Sequence, residues 1–155
     1  MYEVSTKHVN VIDCDVDIIK GGSHLRGPNP CKEMAKVNRG AIIKALSTWE
    51  FSDPKATRKE LVESLCSFFK GKGLEVERSC IPSIIVEKRY PIEVLSYSQE
   101  RDFYELLGRM LWIHDQYDSV IGILSGVMNP HVAKEIEDSY HDVFLDDEEV
   151  SLLLA

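Results

Sequence analysis

Residues 120–124 form a short apolar run, Val-Ile-Gly-Ile-Leu, between two segments with helical periodicity. Five residues are too few for a helix but are typical of a strand buried on both faces. The helix predicted upstream, over residues 99–117, has a wide apolar stripe made of Phe103, Leu106, Leu107, Met110, Leu111 and Trp112. Downstream, Asn129 and Pro130 begin a second predicted helix that reaches about residue 140. A strand between two amphipathic helices predicts a sheet covered by helices.

The preceding segment adds one more helix and three strand-like runs. Residues 52–54, Ser-Asp-Pro, are a typical helix entry, and the predicted helix continues to about residue 70. The strand-like runs cover residues 74–79, 81–87 and 92–97. Because the connection between the last two runs is short, we expect these two strands to form an antiparallel hairpin.

The first 50 residues have a weaker pattern. Apolar and acidic residues alternate within residues 1–19, which predicts a strand, and the glycines and prolines of residues 21–30 predict a loop. A helix is predicted over about residues 31–48. Four potential zinc ligands also lie in this part of the chain: His8, Cys14, His24 and Cys31. Their spacing lacks the closely paired ligands of structural zinc sites, so packing or surface positions are the favoured interpretation.

Together the patterns predict an α/β (α+β) fold with a mixed β-sheet flanked by helices. The length of 155 residues suits one domain. We expect an N-terminal strand, loop and helix extension over residues 1–50 packed on a core of residues 51–141, followed by an acidic-apolar tail of residues 142–155. No apolar run approaches the roughly 20 residues of a membrane span. With no visible secretory signal, we expect a cytoplasmic protein with reduced cysteines.

The order helix, strand, strand, strand, helix, strand resembles the core of the restriction-endonuclease-like, or PD-(D/E)XK, nuclease fold. The resemblance covers about residues 57–140 and is carried by residues 60–65, 73–77, 83–87, 91–95, 101–107 and 117–124. It implies a site in which an acid on the second strand and an acid-x-lysine on the third hold Mg²⁺ and activate water against a phosphate.

Two members of that catalytic set are replaced in this chain. Ser83 takes the place of the first acid, Glu93 that of the second acid, and Leu95 that of the lysine. A hydroxyl has no negative charge and hydrocarbon cannot stabilise an ionic group, so one carboxylate would bind Mg²⁺ weakly. The resemblance therefore implies a catalytically degenerate nuclease fold with no catalytic residue and no cofactor.

An active nuclease with migrated residues stays open as an alternative. Glu63 on the first core helix and Glu87 at the end of the second strand are the acids that could join Glu93 as metal ligands, with Lys88 in place of the lost lysine. The competing interpretation makes Glu63 a helix-surface acid and the region of Glu87 a solvated turn. Only the nuclease alternative would require Mg²⁺.

Charge is unevenly distributed along the chain. The chain has 18 Lys and Arg against 26 Asp and Glu, a net charge of -8 that repels a phosphate backbone. Residues 32–72 are locally basic, and Lys55, Arg58 and Lys59 at the start of a helix are candidate nucleic-acid contacts within the basic region of residues 55–72. A helix, a second helix and a β-hairpin in this region also match a winged-helix DNA-binding protein.

The C-terminal segment combines acid and apolar residues. Residues 135–149 contain eight acidic side chains and no Lys or Arg, and residues 150–154 are Val-Ser-Leu-Leu-Leu. A solvated face is the ordinary interpretation of such an acidic run. The alternative is a partner-binding segment, with these candidates: Asp146, Asp147, Glu148, Glu149, Leu152 and Leu153.

The function predicted from these observations is non-catalytic binding of another macromolecule, most simply as a protein-interaction subunit. Net negative charge favours a protein partner with a basic face. Three alternatives remain: an active metal-dependent nuclease, an acidic inhibitor or immunity-type protein, and a winged-helix DNA-binding protein. No membrane association is expected, and the oligomeric state is not predicted.

Overall fold

The computed structural model describes residues 2–3, 37–51, 53–145 and 147–155. The chain divides into two compact units, one made of Met1–Ser5 and Trp49–Ala155 and the other of Thr6–Thr48. The described part of the second unit contains helix α1 (Arg39–Leu46), where the Asn38 side chain accepts the backbone N–H of Ala41 at 2.9 Å. The strand predicted up to residue 19, apart from residues 2–3, lies outside the described residues, as do the loop, the four potential zinc ligands and the start of the predicted helix.

The larger unit begins with a short strand, continues with a helix and three strands, and then alternates helices and strands. Its elements are β1 (Tyr2–Glu3), α2 (Arg58–Gly71), β2 (Val76–Arg78), β3 (Ile84–Val86), β4 (Tyr90–Ser96), α3 (Glu100–Tyr117), β5 (Val120–Ser125), α4 (Pro130–Phe144) and β6 (Val150–Leu154). The helix over 99–117, the strand over 120–124 and the three strand-like runs are therefore present within a few residues of their predicted bounds.

The strands form a mixed sheet in the order β1-β6-β5-β4-β3-β2. β2, β3 and β4 are joined by antiparallel pairing, β4, β5 and β6 by parallel pairing, and β1 lies antiparallel to β6. The predicted hairpin of β3 and β4 is confirmed. Parallel neighbours need a crossover, and α3 and α4 supply the two crossovers from β4 to β5 and from β5 to β6. The α/β prediction of a mixed sheet flanked by helices is confirmed at this level.

Helix α2 begins later than the sequence pattern indicates. The Thr57 hydroxyl accepts the N–H of Glu60 at 3.2 Å while the Glu60 carboxylate accepts the N–H of Thr57 at 3.3 Å, a reciprocal cap that fixes the helix start. Asp53 instead accepts the N–H of Lys55 in the preceding turn, at 2.9 Å. The predicted start at residues 52–54 is thus wrong, and Ser52 lies outside the described residues.

The main described core lies between the sheet and helices α3 and α4. Its largest members include Phe103, Leu106, Met110, Ile136, Tyr140 and Phe144, packed against strand side chains such as Leu95, Leu124 and Leu152. Leu111 and Trp112, which the sequence placed in the buried stripe, are 49% and 53% exposed, and Ile113 is buried instead. The apolar stripe of α3 is therefore narrower than predicted, and α3 keeps large apolar side chains at the surface.

The predicted C-terminal tail is part of the sheet. β6 pairs with β5 on one side and with β1 on the other, and its five side chains are buried. Leu152 and Leu153 are 0% and 1% exposed, so their assignment as partner-binding residues is wrong. Glu148 and Glu149 are exposed in the turn before β6, Asp147 is partly buried, and Asp146 lies outside the described residues. The boundary predicted at residue 142 falls inside α4.

No helix in the described ranges combines the length and apolar character needed to span a membrane.

Candidate functional site

Ser83 and Glu93 lie opposite each other on neighbouring antiparallel strands. Ile84 pairs with Ile92, so one residue further along the ladder Ser83 faces Glu93. The backbone N–H and the hydroxyl of Ser83 both donate to Glu93 Oε1, at 2.6 and 2.7 Å. Both residues are 0% exposed. The two positions aligned with the nuclease acids are therefore brought into direct contact.

Two arginines from different helices complete the surroundings of this carboxylate. Arg109, in the middle of α3, donates through Nη1 to Glu93 Oε2 at 2.6 Å. Arg58, the first residue of α2, donates through Nη2 to Ser83 Oγ at 2.9 Å and lies 3.5 Å from Glu93 Oε1. The same Nη2 donates to the carbonyl oxygen of Cys80 at 2.6 Å. We call Arg58, Ser83, Glu93 and Arg109 the Glu93 cluster.

The Ser83 hydroxyl links the members of the Glu93 cluster. It donates to Glu93, and it accepts from Arg58 and from the backbone N–H of Val94, the latter at 3.2 Å. A buried hydroxyl is least costly when its donor and its lone pairs are all used, as they are here. Ser83 therefore acts as the connector between the sheet and the guanidinium of α2.

A glycine in β5 allows α3 to lie close to the sheet at this point. Gly122 pairs with Glu93 in the parallel ladder. A Cβ atom built on Gly122 would overlap the sulfur of Met110, a neighbour of Arg109 on α3. The missing side chain thus gives α3 the short approach that Arg109 uses to reach Glu93.

In the Glu93 cluster the charge of the carboxylate is balanced by arginines, and its oxygens are not free to bind a metal ion. Both oxygens of Glu93 accept hydrogen bonds, and its partners include two guanidinium groups that remain protonated in proteins. Leu95, two residues along the same face, is 7% exposed and belongs to the core beside Leu124. At the three aligned positions the protein therefore has a hydroxyl, a paired carboxylate and hydrocarbon.

The other predicted metal ligands have different partners. Glu63 is exposed on α2, and Glu87, in the turn after β3, accepts the backbone N–H of Glu75 at 2.7 Å. Lys88 Nζ is exposed and lies 3.7 Å from Glu75 Oε2. Among the described residues, no group of three or more His, Cys, Asp or Glu is arranged to hold a metal ion. Among the described contacts, none joins Glu63, Glu87 or Lys88 to Glu93, as the nuclease alternative would require.

The predicted nucleic-acid residues are divided by the structure. Lys55, in the turn before α2, and Lys59, the second residue of α2, are exposed, as a phosphate contact requires. Arg58, which the sequence grouped with them, places its guanidinium on Glu93, Ser83 and the Cys80 carbonyl instead. In a winged-helix protein the hairpin that ends with β4 would be the wing. Here β4 also pairs with the parallel strand β5, so this hairpin is part of the larger sheet.

A cavity of about 360 Å³ opens beside Arg109. It is lined by Ile81, Glu105, Gly108, Arg109 and Trp112. The side chain of Arg109 is 26% exposed while that of Glu93 is 0% exposed, so a molecule in this cavity meets the Arg109 guanidinium beside Glu105 and does not meet the Glu93 carboxylate. Sequence patterns did not identify Arg109 as a partner of Glu93, since the two residues are 16 positions apart on different elements.

The chain was compared with protein-family models, curated proteins and solved structures, and no match was found in any of the three.

Proposed function

We propose that this chain is a non-catalytic protein that binds another protein, built on a scaffold that resembles the restriction-endonuclease-like core. The scaffold part of the proposal is supported by the antiparallel β2-β3-β4 segment, the α3 crossover and the parallel β5 that follows it. It is also supported by the contact between Ser83 and Glu93, which are neighbours as the alignment with the nuclease pattern requires.

One observation carries the non-catalytic part: the Glu93 carboxylate already has two guanidinium partners and a serine. A hard divalent cation needs several oxygen ligands with net negative charge, and it would have to compete with Arg58 and Arg109 for the one carboxylate of the Glu93 cluster. Both oxygens of Glu93 accept hydrogen bonds, so within the Glu93 cluster this carboxylate is not free to act as a base toward water. The cluster therefore stabilises the junction of α2, α3 and the sheet.

The net charge favours a basic protein as the partner. With 18 basic and 26 acidic side chains, the chain has a net charge of -8. Such a field slows the approach of nucleic acid and accelerates encounter with a basic protein surface. An acidic inhibitor or immunity-type protein, which covers a basic surface of its partner, is one function of this kind.

Metal binding and cleavage test the proposal directly. Calorimetric titration with Mg²⁺ and Mn²⁺ and incubation with labelled DNA and RNA are expected to give no binding heat and no cleavage. Mg²⁺- or Mn²⁺-dependent cleavage that is lost in Glu93→Gln and retained in Glu77→Gln, an exposed carboxylate on β2, would overturn the proposal and establish the nuclease alternative.

Duplex DNA binding at low salt tests the remaining alternative. We expect anisotropy of labelled duplex to stay flat. Salt-sensitive binding that is abolished by Lys55→Glu with Lys59→Glu, but kept by the charge-matched Lys44→Glu with Lys88→Glu, would establish a nucleic-acid protein instead.

A further inference from the structure

A second cavity, of about 480 Å³, lies between the beginning of α3 and helix α4. We call it the α3–α4 cavity. It is lined by Tyr97, Glu100, Phe103, Tyr104, Val132, Glu135, Ile136, Asp138 and Ser139. None of these residues belongs to the Glu93 cluster, and none is among the candidate site residues named from the sequence.

The base of the α3–α4 cavity is apolar and continuous with the core. Phe103 and Ile136 are core members with 2% and 4% exposure. Tyr97 and Val132 are partly buried against the same core, while Tyr104 stands at the mouth with 53% exposure. Because the base is anchored in the packed core, its aromatic surface is held in place before any ligand arrives.

Three carboxylates surround this aromatic base with few compensating cations. Glu100 accepts a hydrogen bond from the neutral hydroxyl of Tyr104 at 2.8 Å. Glu135 lies 3.1 Å from the imidazole of His131, which carries charge only when protonated. Asp138 lies 3.9 Å from the exposed ammonium of Lys134. In the described part of the chain the rim therefore has three carboxylates against one permanent cation, Lys134, which forms a weak surface pair with Asp138.

The pKa of the Tyr104 phenol is raised by the same excess of negative charge. The hydrogen bond to Glu100, together with the charges of Glu100 and Glu135, raises the pKa of the Tyr104 phenol. One carboxylate is on α3 and the other on α4, so two helices direct negative charge at one hydroxyl at the cavity mouth.

We propose that the α3–α4 cavity receives the guanidinium group of an arginine side chain presented by a basic partner protein. The inference rests on the proposed function, because it names the surface through which this acidic chain would bind its partner. A guanidinium stacks on aromatic rings and forms paired hydrogen bonds with carboxylates, and these are the two kinds of group that line the cavity. An anion would be repelled, and a purely apolar side chain would remove water from three carboxylates without supplying a new hydrogen-bond donor.

The test is a titration of the full chain with N-acetyl-arginine-N-methylamide, followed by ¹H–¹⁵N NMR. Saturable shifts are expected at the amides of the cavity residues. A variant with Glu100→Gln, Glu135→Gln and Asp138→Asn should bind about tenfold more weakly, since three surface charge pairs are lost. The neutral analogue N-acetyl-citrulline-N-methylamide should produce no saturable shift at the same amides.

A second triple variant serves as the matched control. Glu50→Gln, Glu77→Gln and Asp115→Asn remove the same charge from exposed carboxylates that do not line the cavity, and arginine affinity should be unchanged. Equal weakening in both variants, equal binding of citrulline, or no saturation in the parent chain would each overturn the assignment. Such a failure is distinct from failure of the proposed function, which is decided by the metal and cleavage experiments.

Discussion

The Glu93 cluster and the α3–α4 cavity use the same chemical group in opposite ways. In the cluster one buried carboxylate meets two guanidinium groups, a hydroxyl and a backbone N–H. In the cavity three carboxylates at the rim of a pocket share one ammonium, one imidazole and one phenol. A carboxylate with saturated partners holds the fold together, whereas carboxylates in excess over cations remain able to bind a cationic ligand.

Helix α3 contributes to both regions. Arg109 reaches the sheet through the space left by Gly122, and Tyr104, about one and a half turns earlier, stands at the mouth of the cavity. The cluster fixes the position of the helix on the sheet. Because the beginning of α3 lines the α3–α4 cavity, the contact of Arg109 with Glu93 also fixes the cavity wall that a partner side chain would contact.

The largest expected effect is loss of the buried charge in the cluster. Glu93→Gln leaves two guanidinium groups without their counter-charge, and removal of one partner of a buried pair costs about 3–5 kcal/mol. Because the arginine side chains are 33% and 26% exposed, water compensates in part, and we expect the lower end of that range. Urea unfolding of the two proteins measures the difference.

Glu105→Gln is the control for this variant. Glu105 lies 3.7 Å from the same Arg109, but its side chain is 56% exposed, so its loss should cost less than about 1 kcal/mol. If Glu93→Gln lowered the free energy of unfolding no more than Glu105→Gln does, the Glu93 carboxylate would not stabilise the fold through its buried contacts. The proposed difference between a stabilising carboxylate in the Glu93 cluster and ligand-binding carboxylates in the α3–α4 cavity would then be wrong.

Two buried serines give a smaller and sharper comparison. Ser83 and Ser151 are both 0% exposed, but Ser83 Oγ has three hydrogen-bond partners while Ser151 Oγ has none among the described residues. Ser83→Ala should therefore cost about 1–3 kcal/mol, because it leaves polar partners unsatisfied. Ser151→Ala should be neutral or slightly stabilising, because it removes a buried hydroxyl that gains nothing from its position. Equal effects in thermal or urea unfolding would show that the connecting role of Ser83 is wrong.

The local patterns of the sequence were sufficient for most of the larger unit. The six-residue strand β5 and the 18-residue helix α3 both have strong periodicity, and both were found within one or two residues. β6 was missed although residues 150–154 are as apolar as the run that predicted β5, because the acidic residues before it favoured a solvated tail. The same rule, applied to the apolar run alone, would have placed a buried strand there.

Hydrophobic periodicity does not predict contacts between residues that are far apart in the sequence. The alignment of Ser83 with Glu93 relied on a hairpin, whose register is local, and their contact is present. Arg58 is 35 residues from Glu93, and nothing in its helix position distinguishes a buried partner from a phosphate contact. The sequence pattern makes Trp112 a member of the apolar stripe, yet its position around the helix places it at the surface.

The smallest expected effect is in the titration of Tyr104, which probes the cavity side of the comparison. Its pKa should lie above the ordinary tyrosine value of about 10, because Glu100 and Glu135 favour the neutral phenol. ¹³C NMR of the tyrosine rings, assigned with Tyr104→Phe, measures it. Glu100→Gln should lower this pKa more than Glu135→Gln does, since Glu100 also accepts the hydrogen bond of the phenol.

The direction of the resulting pH dependence follows from linkage. A tyrosine pKa that is higher in the folded than in the unfolded chain contributes stability below the unfolded value and loses it as the pH rises through the folded one. Tyr104→Phe should therefore make unfolding less sensitive to pH in the alkaline range only. An ordinary pKa at Tyr104, unchanged by Glu100→Gln, would mean that the carboxylates of the cavity do not converge on its mouth. The cavity would then have no excess of negative charge at Tyr104 to set against the fully paired carboxylate of the Glu93 cluster.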